Sequence, residues 1–199
     1  MPRTKTFDPT VALERAMDLF WRQGYHATSL DDLVRELGVQ RYGIYSTFQS
    51  KQGLFLAALD HYLATMIATH LAEMEQPEAG LPELRRYFAR LATIARTPAG
   101  LRGCLMCNTA VELAPHDPAI AAKVQGFLQR LEAVFAVVLA HAHQRGELAP
   151  IITPRDTARY LTGVVLGLNV YVKTSADREA IDAYIRIALT TIGAPPAMP

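Results

Sequence analysis

The chain has almost no charge imbalance. Its 20 Lys and Arg face 19 Asp and Glu, a net charge of +1, so bulk charge does not point to a polyanionic partner. Residues 1–60 repeat the balance, with Arg3, Lys5, Arg15, Arg22, Arg35, Arg41 and Lys51 set against Asp8, Glu14, Asp18, Asp31, Asp32, Glu36 and Asp60. Contact with a nucleic acid must therefore depend on where the cations sit. Two cysteines in 199 residues are too few for a disulfide framework, and a reducing cytoplasm is the expected compartment. No run approaches the roughly 18 uncharged apolar residues that span a bilayer. The opening "MPRTKTFDPT" also lacks an apolar secretory core, so no membrane partner is expected. Repeats, low-complexity segments and alternating strand patterns are missing. So are Gly-rich phosphate loops, paired carboxylates and nucleophile elbows, which leaves no enzyme signature and no expected cofactor.

What is present is helical periodicity. Residues 9–24 carry an apolar stripe of Val11, Leu13, Ala16, Met17, Leu19 and Phe20, with Gly24 as a stop. "TSLDDLVREL" opens on Ser29 with Asp32 three residues later, a weaker relative of the capping box, and ends at Gly38. Residues 40–47 suit a second short helix, broken at Gln49-Ser50, after which a long helix runs to about Glu75. "QPEAGLPE" reads as a linker. Further helices are expected at 81–96, 104–113, 117–145, 154–174 and 177–192, with boundaries at Pro98, Pro115, Gly146, Pro150, Pro154 and Ser175. Asp117-Pro118 marks one helix start clearly. The expected fold is all-α with about nine helices: an N-terminal three-helix helix-turn-helix domain (residues 1–50) and a C-terminal helical domain (51–199).

Two short helices joined through a glycine turn suit a helix-turn-helix, whose second helix enters the major groove of double-stranded DNA. Leu30, Leu33, Leu37, Val39, Ile44 and Phe48 are spaced to lock the unit together. Gln40, Arg41, Tyr42, Tyr45, Ser46 and Thr47 are then left facing outward, and positions 41 and 45 lie one turn apart. Lys51 opens the next helix, where terminal amides favour a phosphate.

The 48-residue stretch "ALERAMDLFWRQGYHATSLDDLVRELGVQRYGIYSTFQSKQGLFLAAL" resembles, without a gap, the DNA-binding domain of TetR-family transcriptional regulators. The resemblance rests on "LF…GY..TS", "DDL", "GV", "IY..F" and "SK..LF" in that order. It implies a homodimer reading a palindromic operator, most often as a repressor, with a ligand-binding and dimerisation domain from about residue 51. Carried over by position, Tyr45 and Lys51 match phosphate contacts, and Arg41, Tyr42, Ser46 and Thr47 match contacts to bases or backbone. Thr28 matches a residue that touches the DNA backbone. Family members commonly have a small residue at position 42 and Ser or Thr at 43. Here Tyr42 offers a large amphipathic side chain, and Gly43 weakens the helix by roughly 0.5–1 kcal/mol relative to Ala.

"LRGCLMCNTAVEL" (101–113) is the other informative stretch. Cys104 and Cys107 share a helix face. The segment resembles one branch of the family in which some members sense electrophiles at the position of Cys104, and Cys107 is placed to resolve a sulfenic acid. Buried thiols acting as small hydrophobes remain the alternative. No second Cys pair follows at ligand spacing, and His141 and His143 point to different helix faces, so no metal is expected. The family's effector cavity, carried over, gives Tyr62, Met66, His70, Tyr87, Phe88, Met106, Asn108 and Glu112 as candidate liners for a small hydrophobic or electrophilic effector. "ARYLTGVVLGLNVYV" and "IDAYIRIALTTI", with Gly163 and Gly167, fit either a four-helix dimer interface or an intrachain core. Two other readings stay open. One is an all-α thiol redox protein using Cys104 and Cys107, although no βα junction is present to hold its CxxC. The other is an adaptor that keeps the fold without binding DNA.

Overall fold

Several helices begin where a side chain accepts a free amide or a proline stands at the first turn. In the computed structural model, which describes residues 8–148, 152–174 and 177–192, Asp8 accepts from the Thr10 amide and starts α1 (Pro9–Gln23). Ser29 starts α2 (Leu30–Leu37) with both arms of a capping box. The Asp32 amide donates to Ser29 Oγ at 3.1 Å and the Ser29 amide to Asp32 Oδ2 at 2.9 Å, so Asp serves here as well as the usual Glu. α3 (Arg41–Phe48) follows, and Ser50 caps α4, which runs from Lys51 to Leu71. Beyond it lie α5 (Leu81–Ala95), α6 (Leu105–Glu112), α7 (Pro118–Gln144), α8 (Pro154–Tyr171) and α9 (Arg178–Thr190). That gives nine helices and no strand among the described residues. The boundary signals at Pro150 and Ser175 lie outside the described residues.

α1–α3 form a three-helix unit around Leu33, Leu37 and Ile44, with Leu30, Val39 and Phe48 half-buried at its edge. α4 closes it from below: Phe20 of α1 meets Phe55 of α4 edge-on at 4.9 Å. α7 and α8 pack along each other, with α5, α6 and α9 laid against them around Phe88, Phe135, Leu161 and Ile185. Two glycines set the turn geometry. Gly38 ends α2 in the left-handed region (φ 68) with open space around it. Gly53 lets α4 pass under α3, since a Cβ there would meet the Phe48 carbonyl oxygen.

One expected element differs. α4 does not continue to Glu75; it widens into a π-helical stretch at Leu63–Ile67 and stops at Leu71. Thr65 and Thr69 donate to the carbonyls of His61 and Thr65, both at 2.7 Å, and such back-bonding loosens a helix. α4 is long and apolar enough to meet a bilayer criterion, with a mean hydropathy of 1.3. It nevertheless carries Lys51 and Asp60, and its Leu54, Phe55, Ala58 and Leu59 are buried in the protein core.

Because nothing crowds Gly38, Gly38→Ala isolates the backbone cost of a left-handed residue. Urea unfolding should show a loss of about 1–2 kcal/mol.

Candidate DNA interface and effector cavity

The turn at Gly38-Val39 swings α3 so that only Ile44 is fully buried. Gln40, Arg41, Tyr42, Tyr45, Ser46 and Thr47 are all exposed, Tyr42 by 75% and Tyr45 by 44%. A monomer gains nothing by leaving two tyrosines in water on one short helix. Arg41 is held by Asp31 at 2.7 Å, an exposed pair weak enough to yield to a phosphate. Lys51 lies at the start of α4 with its ammonium over the Tyr25 ring, 4.2 Å from the centroid. Burial pushes its pKa down, opposed by Glu112. Thr28 departs from the expectation: it is 0% exposed, and its hydroxyl donates to the Gly24 carbonyl at 2.6 Å. It ties the loop before α2 and leaves no side-chain surface for a phosphate.

Behind this unit the C-terminal helices enclose a cavity of about 360 Å³, within the size range of small-molecule sites. Tyr62, Met66, His70 and Tyr87 face it, joined by Cys104. The other four expected liners do not. Phe88 and Met106 are fully buried in the core, Phe88 stacking on Phe135. Asn108 is tied to the Arg102 carbonyl and to Lys173, and Glu112 reaches in the opposite direction, to α1. Met106 points to the side of α6 opposite Cys104, while Asn108 and Glu112, four and eight residues on, are taken up by their own hydrogen-bond partners. Missed liners include Trp21, Leu91, Ile94, Phe127, Leu131, Leu168 and Asn169. Their apolar spacing is that of any core face; Trp21, the one tryptophan, was the only distinctive signal. Tyr87 is 5% exposed, and no protein group among the described residues hydrogen-bonds its hydroxyl. Burial lowers the His70 pKa, helped by Arg90.

Cys104 is the N-cap of α6 and Cys107 sits in its first turn; both are buried free thiols. The Cys104 pKa falls below the ordinary thiol value, to about 7. The main cause is a hydrogen bond from the Cys107 thiol, followed by the Tyr62 hydroxyl at 3.5 Å and the amides of Cys107 and Met106, with burial opposing. Cys107 is pushed up by the same shared proton and by burial.

Three contacts join this wall to the three-helix unit. The Trp21 indole N–H donates to the Gly103 carbonyl at 3.1 Å. Arg102 pairs with Asp18 at 2.5 Å while lying 4.9 Å over the Trp21 ring. At the far end of α6, Glu112 accepts the amides of Tyr25 and His26 at 3.2 and 2.8 Å.

Residues 12–58 match the family described as "Bacterial regulatory proteins, tetR family", and residues 80–188 match "Tetracyclin repressor-like, C-terminal domain", over half of the chain. The protein belongs to the TetR family. It is 33% identical to the HTH-type transcriptional regulator YezE of Bacillus subtilis (strain 168), over 96% of this chain and 100% of that protein. It is 34% identical to the HTH-type transcriptional repressor ComR of Escherichia coli (strain K12), over 96% and 90% respectively. Its structure resembles that of a cysteine variant of the TetR-family regulator CifR complexed with 26-base-pair operator DNA, at a TM-score of 0.82 and 27% identity, covering 98% of this chain and 100% of that one. This TetR-family chain is thus a DNA-binding, ligand-responsive transcriptional regulator, and the thiol-oxidoreductase reading is not favoured.

A thiolate alkylates and a thiol does not. With the Cys104 pKa lowered to about 7, its iodoacetamide rate should be at plateau above that pH and fall as pH drops through it. An inflection at the ordinary thiol value, about 8.5, would show that the hydrogen bonds to the sulfur do not stabilise its charge.

Proposed function

We propose that the protein is a cytoplasmic repressor that binds a palindromic operator as a homodimer and is released by a small hydrophobic or electrophilic effector. Residues 1–50 form its DNA-binding domain and 51–199 its effector and dimerisation domain. The observation that carries the reading is the exposed face of α3, where Gln40, Arg41, Tyr42, Tyr45, Ser46 and Thr47 stand together beside Lys51. Tyr45 and Lys51 take phosphates, while Arg41, Tyr42 and the hydroxyls of Ser46 and Thr47 meet base edges or backbone. ComR's role as a transcriptional repressor and CifR's complex with operator DNA support the same assignment.

Dimerisation falls to α8 and α9. Their inner faces are core (Leu161, Val165, Leu168, Ile181 and Ile185), while Tyr160, Val170, Tyr171 and Ile187 are exposed along the outer side, with Gly163 open between them. The core reading holds for the inner face, and the dimer-interface reading is carried by the exposed outer one. Release requires that the effector bind the non-DNA-competent dimer better than the competent one. Cavity contents act on α1 through Trp21 and Arg102, which line the cavity and belong to or bond with α1.

Mobility shifts with the DNA upstream of the protein's own gene test this. Lys51→Ala should weaken binding and reduce the slope of log K against log salt by about 1. Tyr45→Ala should weaken binding by roughly tenfold or more, in the range of lost hydrogen bonds to charged groups. Unchanged binding in both variants would remove these contacts from the interface. Ile187→Glu should give a monomer in light scattering together with loss of operator binding.

A further inference from the structure

We propose that the cavity reversibly binds a neutral, two-ring-sized aromatic ketone or related carbonyl compound, whose oxygen accepts a hydrogen bond from the Tyr87 hydroxyl. The inference deepens the effector-cavity reading and rests on it.

Tyr87 is the fully buried polar side chain on the cavity wall that the protein leaves unpaired. The Trp21 indole N–H is spent on the Gly103 carbonyl, the Tyr62 hydroxyl on the Cys104 sulfur and the Asn169 amide on the Val165 carbonyl. Thr97 donates to the Ile94 carbonyl and accepts the Gly100 amide. Tyr87 lines the same wall at 5% exposure, and its hydroxyl bonds to nothing among the described residues. No side-chain oxygen among those residues is both unbonded and sealed from all space, so this hydroxyl opens onto the cavity. Burial pushes its pKa up, so it keeps its proton and needs an acceptor. Buried donors in folded proteins normally have one, and a ligand oxygen supplies it here.

The charges around the cavity select against an anion. Arg102 is the one Lys or Arg among the described residues that lines it, and Arg102 is already held by Asp18 and laid over the Trp21 ring. Burial and Arg90 push the His70 pKa down, so its ring is neutral at pH 7. Cys104, with a pKa of about 7, brings negative charge to the same wall. A carboxylate would lose its hydration here with no free cation in return. A ketone oxygen gives Tyr87 its acceptor without that cost.

Size and lining point to rings. A volume of about 360 Å³ is a little over twice the roughly 150 Å³ that holds one benzene in an apolar cavity. Trp21 and Tyr62 meet edge to face at 5.3 Å and form an aromatic side. Met66, Leu91, Phe127 and Leu131 supply the apolar remainder.

The test uses the reduced full-length protein with tetralone, its parent hydrocarbon tetralin, and naphthoate. Calorimetry gives the affinities, and Trp21 reports occupancy, since the chain has one tryptophan and it lines the cavity. Tetralone should change the Trp21 emission, and its carbonyl stretch should move to lower frequency on binding. Tyr87→Phe should weaken tetralone by about tenfold and leave tetralin within about twofold, as expected for one lost hydrogen bond. The carbonyl stretch should then return to its unbonded position. Because the hydroxyl bonds to nothing in the protein, Tyr87→Phe should melt no lower than the parent. Naphthoate should bind at least about tenfold more weakly than tetralone. Equal effects of Tyr87→Phe on tetralone and tetralin, no carbonyl shift, a lowered melting temperature, naphthoate as tight as tetralone, or an unmoved Trp21 emission would each overturn the proposal. Operator binding by the ligand-free protein is measured in parallel. Normal operator binding beside one of those results removes this inference and leaves the repressor reading. Absent operator binding beside the expected results does the reverse.

Discussion

Glu112 places a carboxylate on two backbone amides of the loop that follows α1, and this contact governs how the two halves of the molecule behave. Its helix, α6, is a single rigid piece of about 12 Å that begins at Cys104 on the cavity wall and ends on the DNA-binding unit. The amides of Tyr25 and His26 both donate to this carboxylate, which ties the loop to α6. A Cβ at Gly24 would meet the carboxylate oxygens at 3.1–3.3 Å, so the contact is close on every side. Through Arg102 and Gly103 the other end of α6 holds α1 as well. The two ends of α6 thus touch the helix-turn-helix unit at two points.

The near-neutral charge of residues 1–60 acquires a meaning in this frame. Arg22 is bonded to Asp18 and Glu36, Arg35 to Asp32, and Arg41 to Asp31. Most cations near the DNA face are therefore already neutralised within the unit, and recognition rests on a small number of placed groups. An interface with few free cations gains less from counterion release than a strongly basic one. Tyr42, 75% exposed, stands on the outer face of α3 next to Gly43.

How much could be read from residues alone differs between the two sites. The outward face of α3 was legible because its apolar partners are local: Leu33, Leu37, Val39 and Ile44 lie within a dozen residues, and their spacing leaves only one side for Tyr42 and Tyr45. The cavity was not legible in the same way. Phe127, Leu131 and Leu168 have the same spacing whether they fill a core or line a hollow. Phe88 and Met106 look like liners until Phe135 is found against one and the core around the other. Asn108 and Glu112 were carried over from the family's cavity; in fact they hold Arg102, Lys173 and the α1 loop. The π-helical turn of α4 likewise arises from Thr65 and Thr69 bonding back to carbonyls, a choice their side chains also have in an ordinary helix.

The sequence by itself determined the order and most starts of the helices, the helix-turn-helix and the pairing of two thiols at a helix start, since caps, glycine turns and i, i+3 spacing act over a few residues. Only the tertiary structure decided which apolar residues enclose empty space, that Cys104 faces the cavity while Cys107 sits behind it, and that Thr28 and Glu112 are structural ties. Those outcomes depend on which faces of distant helices meet, and helical periodicity records that a face is buried without recording what it is buried against.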